Sequence, residues 1–132
     1  MNTEYLERCI STLEKAFNAL QGMAHDDEVY DIYRAACVKE FEIILEQARK
    51  LLKKCLKPYF ATAKQVEQLT FKDIFRYAAK YGLLEMEEAE GWLRYRDSQN
   101  DDAENNFDDT LNLLPQFISD ARHVLKKEEV AL

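Results

Sequence analysis

The chain has 132 residues, 47% hydrophobic and 33% charged, which suits one domain built around one core. It holds only 3 Gly and 2 Pro, where average usage gives about 9 and about 7, and so few turn formers argue against a many-stranded β-sandwich or barrel. With 18 basic and 25 acidic side chains the formal charge is −7, a field that opposes a polyanion except at a local patch.

Asn2 or Thr3 opens a first helix as its cap. Leu6, Ile10, Leu13, Phe17 and Leu20 then recur at helical spacing, one apolar stripe that ends near Gly22. Asp26 and Asp27 can cap a second helix, which runs without Gly or Pro from Val29 to Leu56 and is stopped by Pro58. About 30 residues make a rod about 45 Å long, a length that predicts a bundle or a partner packed along it. Lys50-x-x-Lys53-Lys54-x-x-Lys57 bring positive charge to its C-terminal end, where the helix dipole favours it.

Residues 59–69 read as a connector to a third helix. Thr70 and Asp73 resemble a capping box with a shorter acid, Phe75, Ala78 and Ala79 follow, and Gly82 stands where a left-handed C-terminal residue belongs. A fourth helix starts at Glu85, Glu87 and Glu88, carries Met86, Ala89, Trp92, Leu93 and Tyr95, and runs out in the polar residues 97–106. A fifth extends from about Asp108 to Leu125 on the stripe Leu111, Leu114, Ile118, Ala121 and Leu125. Pro115 inside it is expected to kink it or to mark a second start. The fold class is all-α: one bundle of about five helices over residues 1–132, without internal repeats.

Residues 1–25 carry Glu4, Glu7 and Glu14 and no continuous apolar run, and nowhere do 18 apolar residues follow one another. A signal peptide and a membrane span are therefore not expected, and the expected compartment is the cytoplasm. Cys9, Cys37 and Cys55 lack C-x-x-C spacing and read as buried thiols. Phosphate-loop, dinucleotide-loop and H-E-x-x-H signatures are absent, so no cofactor and no metal are expected. His25 and His123 fall near helix ends and read as surface or capping residues.

The densest polar constellation spans residues 94–107. Read as a calcium loop from Asp97 to Asp108, it has Asp102 where the sharp turn needs Gly. Asp97, Asp101 and Glu104 offer carboxylates for acid–base work, although composition alone reads the run as a solvated helix end.

Gly91-Trp92-Leu93, Tyr95-Arg96-Asp97-Ser98, Asn100-Asp101 and Ala103 resemble the signature region of HEPN-domain proteins. The branch is the one encoded beside a minimal nucleotidyltransferase, comprising nucleotidyltransferase substrate-binding proteins and HepT-type toxins. The likeness continues through Leu111-x-x-Leu114-Pro115-x-Phe117-Ile118-x-Asp120-Ala121-Arg122 and includes the opening Leu6-Glu7-Arg8-Cys9-Ile10.

The resemblance implies a four-helix up-and-down core, a homodimer with the signature region near its interface, and a partner nucleotidyltransferase. It also implies a metal-independent ribonuclease motif in active members, R-x4-6-H, often extended to R-x4-H-x-Y. There Arg would stabilise the phosphate and His would move the proton, while in the toxin branch the Tyr accepts AMP from the partner. Here the three positions read Gln99, Glu104 and Asn106, whereas Asn100 and Asp97 match. Gln99 cannot supply a bidentate cation, Glu104 is an anion beside the scissile phosphate, and Asn106 has no phenol.

The expected function is therefore a partner or substrate-binding subunit of a minimal nucleotidyltransferase, like those of type VII toxin–antitoxin pairs, without ribonuclease activity. Arg94, Arg96, Asp97 and Asp101 are its candidate binding residues, for weak contact with nucleotide or RNA. The alternatives are a ribonuclease toxin neutralised by its cognate nucleotidyltransferase, and a helical adaptor unrelated to nucleotides.

Overall fold

The computed structural model describes residues 3–100 and 106–131. Its helices are α1 (Thr3–Leu20), α2 (Glu28–Leu56), α3 (Ala63–Glu67), α4 (Phe71–Lys80), α5 (Met86–Asn100) and α6 (Phe107–Ala131), with a 3-10 turn at Lys57–Tyr59. No strand occurs among the described residues. The five expected helices are α1, α2, α4, α5 and α6; α3 adds a sixth inside the segment read as a connector.

Local chemistry sets the helix ends. Asp27 caps α2 by accepting from the Val29 amide at 2.9 Å. Thr70 and Asp73 form a reciprocal capping box on α4. Gly22 and Gly82 leave their helices at φ +82° and +77°, a backbone region that strains any residue with a Cβ. The expected second start at Pro115 does not occur, because α6 runs unbroken through it. Pro115 is exposed there, so its missing N–H lies at the helix surface.

Pairwise contacts give the directions. Cys9 and Tyr5 of α1 lie beside Glu40 of α2, so the two helices run antiparallel and the last turns of α2 project beyond the start of α1. Leu51, Leu52 and Leu56 on that projection are buried, with α4 packed against α2. Ser98 meets Thr110 at one end of the α5–α6 pair and Glu88 meets His123 at the other, so these helices are antiparallel too. Arg122 of α6 reaches Glu14 of α1 through two bonds, at 2.7 and 2.8 Å.

Trp92 sits at the centre, fully buried. Its ring stacks on Phe75 of α4 at 5.2 Å and meets Tyr95 and Phe117 edge-on, each at 5.5 Å, while Phe117 reaches Phe41 of α2 at 4.7 Å. Four helices thus share one aromatic contact network, with edge and offset geometries that suit ring quadrupoles.

Candidate functional site

The end of α5 and the start of α6 carry the signature residues, and the start of α6 also lies beside the turn before α2. Asn106 and Asp109 line two adjoining clefts. One, of about 340 Å³, is completed by Arg94, Asp97, Ser98 and Leu113. The other, of about 470 Å³, is completed by His25, Tyr30, Asp31 and Arg34 among others. Ser98 Oγ and Thr110 Oγ1, 3.2 Å apart, tie the two signature helices together beneath the first cleft.

Sequence reasoning missed the contribution of α2. His25 stacks on Tyr30 at 4.6 Å, and the Arg34 guanidinium lies 5.2 Å over the Phe107 ring. Burial raises the Tyr30 hydroxyl pKa, and Asp108 raises it further. A histidine and an arginine therefore stand beside Asn106, although neither belongs to the motif. Nothing in their local sequence signals this, since the contact closes across more than seventy residues of chain.

The candidate binding residues do not form one group. Arg94 and Arg96 are two positions apart on a helix, about 200° around its axis, and they face different neighbours. Arg94 lines the first cleft with Asp97. Arg96 turns to α4, 5.1 Å over the Phe71 ring, and donates to Gln99 Oε1 at 3.1 Å. Gln99, at the position of the motif arginine, is thus paired with Arg96, and neither lines the clefts around Asn106. Asn100 is exposed at the last position of α5. Asp101 and Glu104 lie outside the described residues.

A third depression, of about 480 Å³, lies toward the other end of the α5–α6 pair, where Gly91 leaves room beside Arg94 and Glu88. At its edge the Tyr95 hydroxyl donates to Asp120 Oδ2 at 2.6 Å, and Gln116 Nε2 donates to Asp120 Oδ1 at 3.0 Å. Burial, and then the bond to Asp120, raise the Tyr95 pKa far above that of an ordinary phenol. This pair is structural: Asp120 is 8% exposed and both its oxygens are bonded. Among the described residues no group of three or more His, Cys, Asp or Glu is arranged to hold a metal ion.

The described residues form an all-α bundle in which the signature helices α5 and α6 line a common cleft. A family model for nucleotidyltransferase substrate-binding-protein-like sequences matches residues 3–128, and the chain belongs to that family. Nothing among curated proteins and nothing among solved structures matches it significantly.

Proposed function

We propose that the chain is the non-catalytic partner subunit of a minimal nucleotidyltransferase, of HEPN type, acting as a homodimer in the cytoplasm. The observation that carries this reading is the state of the signature end. The side chain in the motif-arginine position, Gln99, is bonded to Arg96. Asp31, Asp97, Asp108 and Asp109 surround the clefts at Asn106 and oppose a phosphodiester there. Its role is placement: the subunit binds the nucleotidyltransferase and presents a surface to it.

Association is supported by apolar surface near the signature end, where Val29 and Ile32 of α2 are 42% and 66% exposed. Co-expression with the neighbouring nucleotidyltransferase, followed by affinity capture and light scattering, tests the reading. A dimer mass and a stable complex support it, with Ile32→Asp reducing the dimer fraction. A monomer that captures no nucleotidyltransferase overturns it.

A second reading, ribonuclease activity, draws on one observation: His25 and Arg34 line the cleft with Asn106. An RNA cleavage assay decides it. On the leading reading the chain is inert, while cleavage abolished by His25→Ala would favour the second. Gln99→Arg combined with Glu104→His tests whether the scaffold supports the motif chemistry at all.

A further inference from the structure

The far end of α2 differs in composition from the rest of the molecule. Residues 49–81 hold nine of the 18 basic side chains and only two of the 25 acidic ones, a local balance of +7 in a chain of −7. Both acids are already occupied. Glu67 accepts from Lys53 at 2.6 Å, with Arg49 and Lys57 also close enough to lower its pKa. Asp73 closes the capping box of α4. Lys50, Lys57, Lys64, Lys72, Arg76 and Lys80 are exposed.

Aromatic rings occupy the same end. Tyr59 lies face to face with Tyr81, centroids 4.5 Å apart and planes 13° apart. Tyr77 continues the parallel set at 6.0 Å and 11°, and Phe60 closes it edge-on to Tyr77 at 5.1 Å. The Lys80 ammonium lies 5.6 Å from the Tyr81 ring and 5.7 Å from that of Tyr77. Tyr59 forms the outer end of this stack and keeps 45% of its surface exposed.

We propose that this pole binds single-stranded nucleic acid, with a base continuing the Tyr81–Tyr59 stack and the backbone following Lys57, Lys64 and Lys80. Parallel aromatic faces beside lysines match what unpaired bases on a phosphate chain require. A duplex hides its base faces, so it gains only the charge contribution. An acidic protein fits less well, since lysine is depleted in protein–protein interfaces. The site lies at the opposite end of α2 from the signature clefts and uses none of their residues.

Fluorescence anisotropy with a labelled single-stranded oligoadenylate tests this, with the same strand annealed to oligouridylate as the duplex arm and polyglutamate as competitor. Three phosphate contacts give a slope of log K against log salt of about −2. Tyr59→Ala is expected to weaken single-strand binding about 5- to 150-fold, the range of one lost base stack, with the circular dichroism spectrum unchanged. Tyr59→Trp should preserve binding, and Lys57→Gln with Lys80→Gln should flatten the salt slope without unfolding an exposed surface. No binding at low salt, equal binding of the duplex, or full affinity in Tyr59→Ala would each overturn the proposal. Displacement by polyglutamate at matched charge would also overturn it, assigning the surface to an acidic protein. Should Tyr59→Ala unfold, the tryptophan and lysine variants decide: loss of affinity in Tyr59→Trp, or an unchanged slope in the lysine pair, overturns it.

Discussion

The two ends of α2 make opposite surfaces from one helix of 29 residues, about 43 Å long. At its start, Asp27 caps the helix, Glu28 and Asp31 stand in its first turn, and Asp31 shares a cleft with Asp108 and Asp109 at the start of α6. At its finish, Lys53 and Lys54 fill the last turn and Lys57 leads into the 3-10 turn that ends at Tyr59, the outer ring of the tyrosine stack. Helix dipoles explain why this separation is stable. Acids sit at the positive N-termini of α2 and α6, and lysines sit at the negative C-terminus of α2, each worth a few tenths to about 1 kcal/mol. A net charge of −7 therefore describes neither end, and it is a poor guide to which ligand classes the molecule admits.

The largest effect should come from the element that joins the ends. Trp92→Ala empties the centre shared by α2, α4, α5 and α6 and is expected to cost about 3–5 kcal/mol in denaturant unfolding. Trp92→Phe should cost far less, since the buried Trp92 Nε1 has no hydrogen-bond partner and its removal leaves nothing unsatisfied. Equal costs would mean that the centre is not tightly packed.

Tyr95→Phe comes next. It takes from the buried Asp120 carboxylate one of its two bonds and should cost about 1–3 kcal/mol. A thermal shift within error of zero would contradict the structural role of the pair.

A smaller change separates the ends themselves. Thr62→Ala removes the cap of the five-residue helix α3 and should cost about 1 kcal/mol. Hydrogen exchange should speed up in residues 61–69 while the amides of α6 keep their protection. Faster exchange at both ends would show that they open together.

The smallest expected effect is pH dependence. Arg122, Arg49 and Lys53 hold the carboxyls of Glu14, Glu46 and Glu67 below 4.5. Their stabilisation is present above that pH and fades as pH falls through the lowered values. The melting temperature should decline modestly on acidification below about pH 4.5, less so at high salt, because the three carboxylates keep 41%, 44% and 61% of their side-chain surface exposed.

Much of the fold was legible because long helices carry long stripes. Leu6, Ile10, Leu13 and Leu20 face the core as their spacing predicts. Helix α3 was missed although its signal was present: Thr62 and Gln65 form a full capping box, but only Val66 is buried and no stripe draws attention to it. The divergence of Arg94 and Arg96 was readable from 100° per residue. The approach of His25 and Arg34 to Asn106 was not, because chain closure over that distance leaves no periodic trace.

Amide chemical-shift mapping with a single-stranded oligoadenylate tests the two-ended layout most directly. Shifts confined to Lys57, Tyr59, Lys80, Tyr81 and their neighbours are the predicted result. Shifts centred on Arg94, Asp97, Asn106 and Asp109, with the tyrosine end unmoved, would contradict it.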